Sequence, residues 1–525
     1  RALIATGHMS EETYLRALGK SLGVAFEPLE DIARARCPVD DGALIESSAT
    51  GLLPLADGDG RVSHILVSFV RVRGAASEFS GQTQLTLTEM AVCSSDQTLP
   101  STATVTFPRT TTDDLEAFEG MRVTFPQELV ISEYFNFDRF GEIVLAHPIE
   151  AELDRHFQPT SYAAPGSASQ AIASEIALNR ITLDDARRGQ NPDPARHPNG
   201  REFTLDNRFR GGDTLAGLTG ILGEGFGAYR IQPLDGEAAT YAAANPRPAA
   251  PADVGGTITA ASFNVLNYFT TLGSRGADTT EEFTRQRDKI FAALAAIDAD
   301  IVGLVEIENA SAALADLVDG LNALVGAGTY AAIETGPIGT DEIRVAFIYQ
   351  PATVTPIGTT AVLDDPAFTD PNAVGSPQNR PAVAQAFEPA GGGDGVIVVA
   401  NHLKSKGGSC GVGDDDPDQG SCNLTRTLAA LALVDWLATD PTGTGDEDVL
   451  LLGDYNAYDE EDPIAALTDA GYVDLLERDQ GEFVYTFTFD GQLGHLDYAL
   501  ANSALAGKVT LAATWAINAD EPDIL

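Results

Sequence analysis

The chain has 525 residues, with 77 acids against 32 Lys plus Arg, a net charge of −45 and a pI near 4.2. An apolar content of 44% fits a globular protein large enough for two to four cores, and no apolar run reaches the roughly 18 residues of a membrane span. Such a charge repels polyanions at long range, but salt, bridging divalent ions or a local cationic groove each relieve the repulsion, so nucleic acid is not excluded.

Residue 1 is Arg, and the expectation is a removed N-terminus or a fragment. Residues 1–60 carry a helical pattern, SEETYLRALGKSLG, with Ser10 and Thr13 at a capping spacing and two acids in the first turn. From about residue 61 the texture changes to short β-branched runs between turn residues: HILVSFVRVRG, QTQLTLTEMAV, ATVTF, MRVTF and EIVLAH. That spacing predicts a small all-β module, a barrel, over 61–242. Residues 158–215 are polar and read as long loops, before a last β stretch, TLAGLTGILGEGFGAYRIQPL. Residues 243–257, AANPRPAAPADVGGT, are rich in Ala, Pro and Gly and mark a linker.

After the linker, apolar strands alternate with helices. TITAASFNVLNYF reads as a strand, RQRDKIFAALAAIDAD as an amphipathic helix and IVGLVEIEN as a strand. RVAFIYQP, VIVVANHLKS and VLLLGDYNAY follow, with the helix RTLAALALVDWLA between the last two. The pattern predicts a layered α/β domain over 258–525 with active residues at the strand ends. Of the four cysteines, Cys410 and Cys422 bracket a Gly- and Asp-rich loop. Zinc would want more Cys or His nearby, so a disulfide is expected, and with it an oxidising compartment.

The strand ends carry Asn264, Glu306, His402, Asp454 with Asn456, and Asp497. Singly these are turn formers or solvated acids; together they suit phosphodiester hydrolysis. Hard oxygen ligands such as Glu306 fit Mg²⁺ or Mn²⁺, which offsets phosphate charge. An Asp–Asn pair can position and deprotonate water while the amide holds a phosphoryl oxygen, and His402 can serve in proton transfer. No Gly-rich loop ending in Lys-Ser/Thr is present, which argues against P-loop nucleotide hydrolysis.

The ordered motifs SFNVLNYF, LVEIEN, NRPAVAQAF, NHLKSKG, LLGDYNAY and HLDYAL resemble the endonuclease/exonuclease/phosphatase (DNase I-like) superfamily. GPIGTDEIRVAFIY, the NHLKSKG to TR block, NAYDEEDP and INADEP are similar to its extracellular bacterial nuclease branch; EFSGQTQLT, EGMRVTFPQ, FNFDRFGEIVL and FGAYRIQP resemble the OB-like region that precedes the nuclease there. The resemblance implies a four-layer α/β-sandwich catalytic domain behind a small all-β OB-like domain. It implies a secreted or cell-surface, metal-dependent nuclease acting on DNA with Mg²⁺ or Mn²⁺, Ca²⁺ being a further candidate and no obligate protein partner evident.

By the same resemblance Glu306 is the principal metal ligand, and Asn264 contacts the phosphate or the metal shell. Arg380 and Asn456 bind phosphate, His402 is a catalytic histidine and Asp454 positions or deprotonates the nucleophile. Asp497 orients a histidine or joins the metal site, and Asp341 is a candidate partner of His402. Lys404 and Lys406 are candidates for local positive charge. A Ser-Asp-His segment is expected beyond INADEPDIL, so the chain is read as C-terminally truncated and impaired in hydrolysis. Residues 1–60 are loosely similar to a helical module of some bacterial membrane glycosyltransferases and secretion ATPases, and are read as a helical N-terminal segment of uncertain origin.

Two other readings stand beside the nuclease: a phosphomonoesterase or phospholipid or sphingolipid phosphodiesterase of the same fold, and a non-catalytic DNA- or metal-binding remnant. For the last, Phe79, Tyr134, Phe135 and Phe137 are candidate stacking residues, with core packing as the ordinary explanation.

Overall fold

The computed structural model describes residues 52–56, 62–67, 69–94, 101–150, 153–187, 189–234 and 236–524. The helical pattern expected near the N-terminus and Cys37 lie outside them. The strands Leu52–Ala56 and Val62–Val67 pair antiparallel. Phe69–Phe79 and Gln82–Ser94 form a long hairpin turning at Ser80 and Gly81, both with positive φ, the geometry that follows the natural twist of two strands.

The next region is one nine-stranded sheet. Its order is Thr240–Ala242, Thr214–Ala216, Leu129–Glu133, Glu142–Ala146, Arg180–Asp184, Ala228–Gln232, Thr219–Gly225, Arg122–Thr124 and Ala103–Thr104. Phe125, Phe137, Phe209, Leu145, Leu222 and Ile231 from across the sheet share one core, so the sheet curls around it. The expected all-β module is therefore a curled sheet that keeps two edge strands. The expectation of long loops over 158–215 needs correcting: Ser167–Ala177 is a helix and Arg180–Asp184 an inner strand. The helix buries only Ser169 and Ile176, so its sequence shows no apolar stripe.

Ten of the strands beyond residue 257 make two further sheets. In the first, β1 (Ala260–Tyr268), β2 (Ile301–Glu308), β3 (Ala331–Ile333) and β4 (Ile343–Tyr349) run in the order β1-β2-β4-β3. The second contains β5 (Val354–Leu363), β6 (Ala382–Pro389), β7 (Val396–His402), β8 (Val449–Asp454), β9 (Tyr472–Asp474) and β10 (Asp497–Asn502), in the order β5-β6-β7-β8-β10-β9. Helices α1 (Thr280–Ile297) and α2 (Ser311–Val325) cover the first sheet; α3 (Asn423–Leu437) and α4 (Asp462–Asp469) cover the second.

Consecutive side chains of a strand face opposite ways, and here each direction meets a core. Leu304 packs under α1 and α2 while Val305 packs between the sheets. Val398 and Leu452 join Val305 there, and Val399 and Leu451 face α3 and α4. Burial on both faces explains why these strands read as unbroken apolar runs. The result is a four-layer helix–sheet–sheet–helix sandwich.

The two regions are stitched together. The short strand His156–Phe157 pairs parallel with Gln492–Gly494, itself one arm of a hairpin with Phe487–Phe489. Asn245, in the predicted linker, donates through Nδ2 to the Asp520 carboxylate at 2.9 Å, and Arg247 pairs with Glu521. The linker is thus pinned along part of its length.

Candidate active site

Three of the predicted residues form a row by register alone. His402 pairs with Asp454 across parallel β7 and β8, and Asp454 pairs with Asp497 across antiparallel β8 and β10. All three are strand-terminal, and partners directly opposite project on the same face. His402 Nε2 lies 3.9 Å from Asp454 Oδ2 and 3.9 Å from Glu306 Oε1.

The local chain after Gly453 aims the Asp454–Asn456 pair. Asp454 Oδ1 accepts the Asn456 backbone N–H at 2.8 Å, closing a turn in which Asn456 has φ 50°. Asn456 Nδ2 donates to Leu403 O at 3.2 Å, leaving its second N–H for a ligand. Asp497 Oδ2 accepts from Thr486 Oγ1 at 2.9 Å, which fixes that carboxylate.

Glu306 and Asn264 arrive from the facing sheet through irregularities. The β2–β4 ladder shifts register between Leu304 and Ile307, and Glu306 within the shift has φ 65°. A non-glycine residue held left-handed inside a strand is costly, and a bulge there re-aims its side chain. The β1–β2 ladder is likewise interrupted after Asn264, whose Oδ1 accepts the Leu266 N–H at 2.9 Å.

A cationic relay backs the histidine. Arg275 Nη1 and Arg380 Nε hold the two oxygens of Asp341 at 2.9 and 2.8 Å, and Arg380 Nη1 lies 3.4 Å from His402 Nε2. Asp341 therefore reaches His402 through Arg380. Burial, then Arg380, Arg275 and Lys404, hold the His402 pKa well below its ordinary value, so the ring is neutral. The carboxylates shift the other way: burial first, then Asp497 and Glu306, raise Asp454 far above the usual range. Burial likewise leads the rise at Asp497.

Lys404 is half-buried, and its backbone N–H donates to Asn379 Oδ1. Lys406 is committed elsewhere: its Nζ pairs with the buried Glu461 at 2.5 Å and sits over the Tyr458 ring. Cys410 and Cys422 form a disulfide that closes the loop between β7 and α3. Among the candidate stacking residues Phe137 and Tyr134 are core, whereas Phe79 and Phe135 are exposed. Arg275 and Thr486 were not singled out by sequence reasoning; nothing in their neighbourhoods signals a role that only the tertiary contacts to Asp341 and Asp497 create.

Glu306, Asp454, Asn456, Asn264 and Asp497 line one groove of about 2440 Å³, which continues past Phe487 and Phe489 to the nine-stranded sheet at Phe135 and Arg180. The ligand atoms of Glu306, His402 and Asp454 all lie within 4.8 Å of one another. Two carboxylates and an imidazole converging this closely are a donor set suited to a divalent cation.

Residues 261–515, slightly less than half of the chain, match the model of the Endonuclease/Exonuclease/phosphatase family. Similar solved structures include an endonuclease/exonuclease/phosphatase from Bacteroides vulgatus, at 16% identity over 47% of this chain and 87% of that one, TM-score 0.33. The human Nocturnin catalytic domain with bound sulfate is 18% identical over 47% and 83%, TM-score 0.32. The mannosyl-6-phosphatase Bt3783 of Bacteroides thetaiotaomicron is 14% identical over 47% and 86%, TM-score 0.33. No curated protein matches the chain.

Proposed function

We propose that the 261–515 domain hydrolyses phosphodiester bonds of DNA outside the cell in a metal-dependent reaction. The observation that carries this is the row His402–Asp454–Asp497, set by strand register and faced by Glu306 across the groove. Glu306 and Asp454 would hold Mg²⁺ or Mn²⁺, with Ca²⁺ a further candidate, and the ion would offset phosphate charge.

The chain's own groups supply the rest. Asp454 accepts the proton of the attacking water; burial, and after it Asp497 and Glu306, raise its proton affinity in the metal-free protein. The remaining N–H of Asn456 and the Asn264 amide donate to phosphoryl oxygens. Arg380, oriented by Asp341, donates to the phosphate beside a neutral His402. Arg275, Arg380 and Lys404 all bear on His402, so cationic side chains stand beside the acids of the site to meet an anionic substrate. The Cys410–Cys422 disulfide supports an oxidising, extracellular setting. The choice of DNA rests on the resemblance of the motif wording to extracellular bacterial nucleases.

The test offers plasmid, linear and single-stranded DNA with Mg²⁺ or EDTA, beside p-nitrophenyl phosphate and sphingomyelin. Metal-dependent loss of DNA that Asp454→Ala abolishes is the expected result. Intact DNA with cleavage of the monoester or the lipid overturns the substrate, and no cleavage of any of them overturns the enzyme.

A further inference from the structure

A second group of metal-ligating side chains lies beside the candidate active site and has no part in the chemistry above. His495, fully buried in the turn before β10, places Nε2 2.8 Å from Asp474 Oδ2 and 3.0 Å from Asp459 Oδ1. Asp474 is the N-cap of the helix Leu475–Gln480: its Oδ1 accepts the N–H groups of Leu476 and Glu477 at 2.8 and 3.2 Å, which turns Oδ2 toward the imidazole. Asp459 comes from the loop after β8, and the Tyr498 ring packs on the imidazole with centroids 4.2 Å apart.

The group is short of positive charge. Nε2 carries at most one hydrogen, and its hydrogen bond is with Asp474. The Asp459 side chain is only 10% exposed, yet neither of its buried oxygens accepts a hydrogen bond from another residue. Burial raises its carboxyl to about 7; His495 is the one charged group that opposes this, while Asp474 and Glu477 add to it. Burial opposes the charged form of His495, but the hydrogen bond to Asp474 and the nearby Asp459 charge favour it, so the imidazole serves Asp474 while Asp459 is left without a hydrogen-bond donor. Breaking or omitting the partner of a buried charge costs several kcal/mol.

We infer that Asp459, Asp474 and His495 form a second metal site, separate from Glu306, His402 and Asp454, that takes a divalent cation of the zinc class. The three donor atoms lie within 4.8 Å of one another. The contacts of 2.8 and 3.0 Å are those of an imidazole hydrogen-bonded and ion-paired to two carboxylates, and shifts of a few tenths of an ångström open them to the roughly 3.4 Å that two bonds of about 2.1 Å span at the tetrahedral angle. An imidazole nitrogen favours Zn²⁺ or Mn²⁺ over the all-oxygen preference of Ca²⁺ and Mg²⁺. The ion replaces the Nε2 proton and neutralises both carboxylates. It ties together the loop after β8, the end of β9 and the approach to β10, the segments that present Asp454 and Asp497. This inference is independent of the substrate and of hydrolysis.

The experiment uses metal-free protein carrying Glu306→Gln, which removes a donor from the other group, titrated with Zn²⁺ alone by calorimetry, with metal analysis after gel filtration. One retained equivalent is expected. It should fall at least tenfold in affinity in Glu306→Gln/Asp459→Asn and in Glu306→Gln/His495→Gln, and the Zn²⁺-induced rise in Tm should vanish with it. Asp459→Asn is isosteric, so it tests the site even if His495→Gln does not fold. No retained Zn²⁺ in Glu306→Gln, or equal retention in the paired variants, overturns the site.

Discussion

Gly453 sits against the backbone of Asn401: a Cβ at Gly453 would lie 2.0 Å from the Asn401 carbonyl oxygen. Gly453 also has φ 125°, a conformation that L residues avoid. The glycine in the motif therefore lets β8 run close enough to β7 for Asp454 to stand opposite His402. Gly453→Ala must push the strands apart at the row itself. The expected cost is at least about 2 kcal/mol of stability, read by urea unfolding, together with loss of hydrolysis. A variant that melts like the parent and keeps full activity would show that the close approach does not position the row.

Asp454→Asn separates function from stability. Asp454 is buried beside Asp497 and Glu306, and that crowding opposes its ionisation in the metal-free protein. Replacing it with a neutral isostere should leave metal-free Tm unchanged or higher, while turnover falls by about 10²–10⁴-fold for loss of the proton acceptor. Circular dichroism melts and turnover measured on one preparation decide it; a large drop in Tm would assign Asp454 a structural role.

Acid should loosen the joint between the two regions. His156 pairs through its strand with Gln492, and burial lowers its pKa to about 4, opposed by the hydrogen bond to His147 O. The unfolded chain takes up this proton near pH 6.5 and the folded chain does not, so the neutral-ring contribution is complete above pH 6.5. It is lost as pH falls toward 4, by up to about 3 kcal/mol. Carboxylates titrate in the same window, so the readout is a difference: His156→Gln should flatten the stability slope between pH 6.5 and 4 by about one proton. An identical slope in both proteins would contradict the assignment.

The candidate site was legible because four apolar runs each end in a polar residue, a pattern that buried strands of an α/β sandwich must show. The register that aligns His402, Asp454 and Asp497 was not, since it depends on pairing between segments far apart in sequence. The backbone of Glu306 was equally hidden; a bulge has no fixed sequence mark. Helix α1 begins at Thr280, ahead of the RQRDKIF run, because Thr279 and Glu282 form a capping box that the apolar pattern does not reveal. Helix Ser167–Ala177 was read as loop for want of a buried stripe, and Phe137, read as a stacking candidate, is core because it packs edge-on against Phe203 and Phe209.

Reduction should destabilise the loop beside the row. Cys410 and Cys422 are 12 residues apart, and closing a loop of that length is worth about 3 kcal/mol in the chain-entropy account. Part of the loop is held independently, since Asp415 accepts the N–H groups of both cysteines. Cys410→Ser/Cys422→Ser should therefore lose somewhat less than the full amount, and reductant should lower the Tm of the parent but leave the variant unchanged. A parent insensitive to reductant, with the bond shown broken by thiol titration, would mean the loop is held by Asp415 alone.

The strongest single joint is Asp520. It is fully buried, and its carboxylate accepts from Arg155 at 2.6 Å, Arg210 at 3.3 Å, Tyr485 at 2.8 Å and Asn245 at 2.9 Å. Arg155 and Arg210 belong to the all-β region, Asn245 to the linker and Tyr485 to the segment leading into the Phe487–Phe489 arm, so one carboxylate joins three parts of the chain. Removing it leaves Arg155 buried with Asp154 as its remaining acid, at 3.4 Å and largely exposed. Asp520→Ala is expected to cost about 3–5 kcal/mol, and to speed proteolysis within 243–257, where Asn245 loses an acceptor. In a double-mutant cycle the loss should be strongly non-additive, because Arg155→Ala removes the charge that Asp520→Ala strands. Additive losses would mean that the two side chains stabilise the joint separately, and that the contact between them is not what holds the regions together.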